Sequence, residues 1–162
     1  MHARKRRKEE GFTLVELIVV VAILGFLLSI AIPRYLTART TAAQAATKAN
    51  LHQLASSMEL YMTEHPGEGD TYPDNATSWL SAYIPKAPVP PAGGTSKYKY
   101  KQLQKNSPGD SYAIWDPNPY GGKYFAAGPG GAIGEGNSAE DAVSNATGIT
   151  DPDLSNPVDL NW

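Results

Sequence analysis

The feature that most constrains this 162-residue chain is a long apolar run near its N-terminus. From Phe12 to Ile32 the only charged residue is Glu16. As an α-helix these roughly 21 residues would be about 31 Å long, which matches the hydrocarbon core of a bilayer. Five Lys or Arg residues at positions 4–8 precede the run, and positive residues beside a span resist translocation. The sequence therefore predicts one transmembrane helix, with its N-terminus inside and the rest of the chain outside.

Glu16 is the anomaly in this span. An ionised carboxylate inside a membrane costs on the order of 2.5 to 3.5 kcal/mol, so it needs a partner. No Lys or Arg lies between Phe12 and Ile32. A cut between Gly11 and Phe12 would create an α-amino group one helical turn from Glu16, in its own subunit or a neighbour. Pairing with a neighbour would couple charge neutralisation to assembly, because an unassembled subunit leaves the acid unpaired.

The apolar run is also compatible with a secretory signal peptide or with a plain signal-anchor. A signal peptide has the same basic start, but its apolar region is usually only about 7 to 15 residues long. A signal-anchor could hold an unrelated extracytoplasmic binding domain in the membrane. Neither alternative provides a counter-ion for Glu16.

The segment from Lys8 to Glu16 resembles the class III leader and cleavage site of type IV pilins and type II secretion pseudopilins. The shared features are a short basic leader, Gly before the cut, Phe after it and Glu five residues into the mature chain. The resemblance implies that a prepilin peptidase cleaves after Gly11 and N-methylates Phe12, and that Glu16 pairs with the Phe12 amine of a neighbouring subunit. Thr13, Gly25 and Pro33 complete the implied assembly residues.

The resemblance also implies function, partners and location. The precursor would lie in the bacterial inner membrane, in contact with lipid, and would polymerise with its own copies on an inner-membrane assembly platform. The first alternative is a pilus-like surface filament for adhesion, motility or DNA uptake. The second is the major pseudopilin of a type II secretion system, which forms a periplasmic filament that drives protein export.

Pro33 and Gly25 mark a weak stretch of the predicted span. Proline removes a helical hydrogen bond, here to the carbonyl of Ser29, at a cost of about 3 kcal/mol. Glycine costs roughly 1 kcal/mol relative to alanine. We expect residues 25–33 to kink or melt first, and in the family that the chain resembles this stretch loosens on assembly.

Beyond Arg34 the sequence predicts an α+β fold in which the long N-terminal helix packs on a small antiparallel β-sheet. Apolar residues at spacings of three and four form one stripe on the second half of the helix: Leu51, Leu54, Ala55, Met58 and Met62. Period-two alternation or strand composition predicts strands at 97–101, 111–115 and 123–127, and a short helix is expected at 79–84. The lysines of the first of these strands suggest a protected sheet edge. The predicted segments are a leader at 1–11, a transmembrane and polymerisation helix at 12–33, an amphipathic helix at 34–65 and a β-rich region at 66–162.

The sequence favours no catalytic or nucleic-acid function. There is no cysteine, and no nucleophile elbow or P-loop pattern is present, so we expect no enzyme. The chain has a net charge of −2 although residues 1–10 carry +3. The remainder is therefore acidic, unlike a surface that binds phosphates.

A structural calcium ion is the one cofactor considered. The segment 134–141 weakly resembles the acidic loop with which the major secretion pseudopilin holds calcium, and its candidate ligands are Glu135, Glu140 and Asp141. The acid expected in the preceding Gly128 to Gly131 segment is absent. The helix exit at Tyr72-Pro73 resembles major pseudopilins, while the missing acid argues against them, so the pilus alternative is placed slightly first.

Overall fold

The computed structural model describes residues 11–65, 72–73, 75–93, 95–103 and 111–162. The predicted leader up to residue 10 lies outside them. The chain divides into two compact units, Met1–Arg39 and Thr40–Trp162. Helix α1, Leu14–Glu64, begins in the first unit and ends in the second.

The described part of the first unit, residues 11–39, is helical from Leu14 onward, and its side chains are exposed on every side. It forms part of a helix long and apolar enough to cross a membrane. Pro33 lies inside the continuous helix, and Thr37 Oγ1 donates a 3.1 Å hydrogen bond to the Pro33 carbonyl. An apolar helix without a protein core to face is suited to lipid or to other helices.

The second unit forms around a five-stranded antiparallel sheet. Its strands are β1 Lys99–Leu103, β2 Ser111–Trp115, β3 Tyr124–Ala127, β4 Ile133–Gly136 and β5 Val158–Asp159, in the order β4-β3-β2-β1-β5. The α+β fold with three strands near 97–101, 111–115 and 123–127 is thus confirmed, and a short helix, α2, occupies Thr77–Tyr83.

The expectation that the lysine-rich strand forms a sheet edge is wrong. β1 pairs with β2 on one side and with β5 on the other. Its lysines instead contact acids of the C-terminal segment: Lys99 bonds Asp159, and Lys101 Nζ lies 2.8 Å from Asp153 Oδ2. A strand of two residues such as β5 is too short to show alternation, so the sequence pattern does not reveal it.

The α1 residues from Thr40 onward pack on one face of the sheet. Leu51, Leu54, Ala55 and Met58 are buried, as the stripe predicts, whereas Met62 is only half-buried. Residues of β2 alternate between the two faces of the sheet because side chains of a strand point to opposite sides. Tyr112 and Ile114 join the core against α1, while Ala113 and Trp115 join a second core.

The second core lies under a helix in a segment that resembles a loop in sequence. Helix α3, Ala139–Thr147, begins at Ser138, whose side chain accepts a hydrogen bond from the Asp141 amide, and ends at Gly148 in the left-handed conformation. Ala142 and Val143 are buried against the sheet. Both the capping residue and the terminal glycine are sequence signals for a helix. The interpretation of segment 134–141 as a loop is therefore wrong except at residues 137–138, because residues 134–136 belong to β4 and residues 139–141 to α3.

Candidate processing and assembly site

The start of α1 is built by a reciprocal hydrogen-bonded pair. Thr13 precedes the helix, and its backbone N and Oγ1 both donate to Glu16 Oε2, at 2.9 and 2.8 Å. The Glu16 amide in turn donates to Thr13 Oγ1 at 3.2 Å. This is a capping box, which satisfies amides that the first turn of a helix leaves without partners.

The capping box changes the interpretation of Glu16. From the sequence, the expected partner of the carboxylate is an amine created by cleavage, whereas the folded chain gives it partners three residues away. A carboxylate in a first helical turn is also favoured by the helix dipole. The Thr13-x-x-Glu16 spacing is a known helix-start signal and would have revealed this role. Glu16 therefore has a local bonding arrangement before any contact with a neighbour.

The predicted cleavage bond lies just outside the helix. Gly11, Phe12 and Thr13 are not helical, and Phe12 is 82% exposed. A protease needs its substrate bond exposed and free of helical hydrogen bonding, and these residues provide that. Cleavage itself stays a prediction.

The remaining predicted assembly residues lie further along α1. Apart from its chain neighbours and the adjacent helix backbone, Gly25 has no atom within 4 Å of the place where a side chain would begin. Pro33 is eight residues beyond it. The helix is continuous through both positions. The expected loosening of residues 25–33 upon assembly therefore stays a prediction.

The structure places the calcium candidates on two neighbouring elements. Glu135 is on β4, whereas Glu140 and Asp141 are in the first turn of α3. Glu135 is paired with lysines: its Oε2 lies 3.3 Å from Lys48 Nζ and its Oε1 4.0 Å from Lys123 Nζ. Within the part of the chain that the structure describes, no three acidic or histidine side chains converge as metal ligands. Calcium binding stays an untested expectation.

A buried carboxylate that no sequence pattern indicates lies between α1 and the loop after β2. Asp116 has no exposed surface. It accepts hydrogen bonds from Thr47 Oγ1 at 3.3 Å, from Tyr120 OH at 3.0 Å and from the backbone and side-chain nitrogens of Asn118, each at 2.9 Å. Buried charges are tolerated when hydrogen-bonded in this way. Asp116 thus joins the helix to the sheet.

Glu59 has a similar role at the other end of the amphipathic half of α1. Its Oε1 accepts from Tyr112 OH at 3.2 Å, Tyr72 OH at 3.4 Å and the Gly130 amide at 2.9 Å. Burial, followed by the charge of Glu59, raises the pKa of Tyr112 far above its ordinary value. Both carboxylates therefore join α1 to other parts of the second unit through hydrogen bonds.

Comparisons with known proteins agree with the N-terminal site and extend beyond it. A family model described as the prokaryotic N-terminal methylation motif matches residues 6–32. The type II secretion system core protein G of Klebsiella michiganensis is 29% identical over 155 residues, 94% of this chain and 95% of the relative. The core protein G of Vibrio cholerae is 31% identical over 140 residues, 85% of this chain and 92% of the relative.

A pilus protein is also similar, over a shorter stretch. The type IV major pilin PilA of Myxococcus xanthus is 36% identical over 74 residues, which are 46% of this chain and 32% of the pilin. No solved structure matches the chain. Together with the capped apolar helix and the sheet beside its second half, these similarities show that the chain belongs to the superfamily of type IV pilins and type II secretion pseudopilins.

Proposed function

We propose that this filament subunit is made as an inner-membrane prepilin, cleaved after Gly11, N-methylated on Phe12 and polymerised into a secretion pseudopilus. The observation that carries the proposal is the exposed apolar part of α1 in the first unit. The second unit, in contrast, has a core of its own. An exposed apolar helix must be covered, first by lipid and then by the helices of other copies.

The membrane step follows from charge. The basic residues at positions 4–8 keep the leader on the cytoplasmic side. The apolar run then spans the bilayer, and the second unit lies outside. A prepilin peptidase acting at the inner face reaches the exposed bond between Gly11 and Phe12.

The assembly step uses the acid at the start of α1. In the precursor, Thr13 satisfies one oxygen of Glu16. A carboxylate has about four acceptor positions, so the amine of a neighbouring Phe12 can bind while the capping box stays intact. Assembly then adds a charge pair to each contact, and the inner-membrane assembly platform supplies new subunits.

We favour secretion over a surface pilus because of the extent of similarity. The Klebsiella relative matches across 94% of the chain, including the second unit, whereas the Myxococcus pilin matches 46% of it. The second unit is the part that a filament presents to its surroundings. A surface pilus for adhesion, motility or DNA uptake is the second candidate, favoured by the similarity to the Myxococcus xanthus pilin. We assign the chain a structural role and no catalytic one.

Two measurements test this function. Mass spectrometry of the mature protein should find N-methylated Phe12 as its first residue, and an intact leader in the assembled form would contradict the processing step. In a gene deletion, export of secreted proteins should fall while surface pili and twitching persist. Loss of surface pili with normal export would instead establish the pilus alternative.

A further inference from the structure

The second unit exposes large apolar side chains at two separate places. Of the side chains described beyond Leu36, those of Leu60 and Val89 are the exposed large apolar ones, at 47% and 53%. The remaining large apolar residues described there are buried or half-buried. Isolated exposed residues are common on protein surfaces, so the surroundings of each decide whether it has a role.

Val89 belongs to an apolar groove with a basic rim. The groove has a volume of about 200 Å³. It is lined by Pro88, Val89, Leu160 and Trp162, with Lys86 and Lys97 among its other lining residues. Trp162 is fixed there by a 2.7 Å hydrogen bond from Nε1 to the Ile84 carbonyl. The groove therefore combines an apolar lining with two lysines, and it would favour an apolar side chain next to an acid.

Leu60 offers that combination on the outer face of α1. The buried Leu51, Leu54 and Met58 face the sheet. At 3.6 residues per turn, Leu60 lies on nearly the opposite side of the helix from their mean direction. Glu64, which is exposed, follows four residues later on the same face. Its Oε2 accepts from Tyr83 OH at 2.5 Å, which leaves further acceptor positions on the carboxylate.

We propose that Leu60 of one subunit inserts into the Val89 groove of a second copy, with Glu64 facing Lys86 and Lys97 at the rim. The proposal rests on the filament function above and adds to it the contact between the second units. The occupant is a second copy because the complementary apolar and acidic pair is present on this same chain and because the chain polymerises.

The positions of the two partners explain why this contact would propagate. The Asn50 side chain donates a 3.4 Å hydrogen bond to the Val89 carbonyl, so the groove lies beside Asn50. Leu60 is ten residues further along the helix, about 15 Å at 1.5 Å per residue. Parallel copies must therefore be displaced along the helix axis for the two to meet. A displaced contact between different surfaces generates an open helical polymer.

Cysteine cross-linking in assembled filaments tests the contact directly, because the native chain contains no cysteine. The full-length double variant Leu60→Cys, Val89→Cys should form, upon oxidation, a ladder of dimers, trimers and larger species. A disulfide between positions 60 and 89 of one chain cannot compete, because the two Cα atoms of a disulfide must lie within about 7 Å of each other. Position 89 lies beside Asn50, and position 60 is about 15 Å further along the helix. Leu60→Cys combined with Ser78→Cys, an exposed position on α2, is the matched control and should give no ladder.

Each alternative outcome identifies a different error. Monomers from the double variant, in filaments that are normal by electron microscopy, would overturn this contact and leave the proposed function standing. Dimers from either single variant would indicate a symmetric contact, and cross-links to another protein would indicate a different occupant. Both results would overturn the proposal. Absence of any filament from the wild-type chain would refute the proposed function itself.

A charge exchange provides an independent measurement. Lys86→Glu should lower filament yield severalfold, because it places an acid opposite Glu64 of the neighbour. Adding Glu64→Lys to the same chain should restore most of the yield. If the reversal has no effect, or if the second change fails to restore a reduced yield in a chain that remains folded by circular dichroism, the assignment of the rim contact is wrong.

Discussion

Glu16 combines two roles that ordinarily belong to different residues. Its carboxylate completes the capping box with Thr13, and the proposed filament contact gives it a neighbour's amine as well. Hydrogen bonding to Thr13 lowers the free-energy cost of placing the Glu16 carboxylate in the membrane. The carboxylate keeps its negative charge, which is available to pair with an amine during assembly. The two roles can be separated because glutamine caps a helix but carries no charge.

Glu16→Gln is expected to insert into the membrane and to be cleaved, yet to form few filaments. The amide preserves the capping box, but it leaves the buried amine of Phe12 without a counter-charge. Breaking a buried pair in this way costs roughly 3 to 5 kcal/mol. Carbonate extraction measures insertion, mass spectrometry measures cleavage, and electron microscopy of sheared material measures assembly. Wild-type filament yield from Glu16→Gln would mean that Glu16 serves only as a cap.

At the scale of elements, α1 contains a built-in weak point. Pro33 has no amide to donate to the Ser29 carbonyl, although the helix continues through it. The Ser29 hydroxyl donates to the Phe26 carbonyl at 2.6 Å.

Pro33→Ala should stiffen this part of α1 by about 3 kcal/mol. Hydrogen exchange of the full chain in lipid bilayers should become slower in the peptide covering residues 25–37. Gly25→Ala is the matched control and should give a smaller effect, corresponding to about 1 kcal/mol. Unchanged exchange in Pro33→Ala would show that the proline does not weaken the helix.

The packing of α3 on β4 depends on the absence of side chains at two positions. A Cβ on Gly134 would lie 2.0 Å from the Ala142 carbonyl oxygen, and one on Gly136 would lie 2.4 Å from Asp141 Cβ. Atoms at such distances must move, so glycine is needed at both positions for the helix to approach the strand.

Gly134→Ala is expected to lower the free energy of unfolding by about 3 kcal/mol, since overpacked sites of this kind relax poorly. Thermal denaturation in detergent, followed by circular dichroism, measures the loss. Glu135→Ala on the same strand removes half-exposed ion pairs with Lys48 and Lys123, and its effect should stay below about 1 kcal/mol. Equal stability of the two variants would contradict the close packing of α3.

At the scale of the whole second unit, the C-terminal segment stabilises the sheet by its contacts with β1 and with Tyr98, which precedes β1. Leu160 is buried and its amide donates to the Tyr98 carbonyl at 2.9 Å. Lys101 and then Ser155 hold the pKa of Asp153 well below its usual range by hydrogen bonding to its carboxylate. The stabilisation that Asp153 adds to the folded second unit is complete above the ordinary carboxyl pKa, and it is lost as pH falls through the lowered pKa.

Alkaline pH should weaken the second unit through its buried tyrosines. Burial raises the pKa of Tyr98 from 10.0 to about 12. A raised pKa means that stability is complete below the unfolded value of 10.0 and falls as pH rises toward the folded value. Urea denaturation in detergent should therefore give a lower stability at about pH 11 than at about pH 8, with a smaller difference in Tyr98→Phe. Equal pH dependence of the variant and the wild type would exclude Tyr98 as the cause.

The sequence by itself determined the properties of the first unit and the general class of the second. The apolar run with its single acid, the helix through residue 64 and three of the five strands all follow from local patterns. A membrane helix satisfies its backbone internally, so the pattern of residues 12–32 does not depend on the rest of the fold. The buried stripe from Leu51 to Met58 is recognisable for a similar reason, since one turn follows another at a fixed period.

Only the tertiary structure decided which elements cover the sheet and where its polar groups pair. β5 is two residues long and exists because it pairs with β1, and the buried site of Asp116 is formed by residues up to 69 positions away. The same applies to the groove at Val89, which joins residues 86–97 to residues 160–162. Long-range contacts of this kind leave no local periodicity in the sequence, because they depend on chain segments that meet only when the sheet has formed.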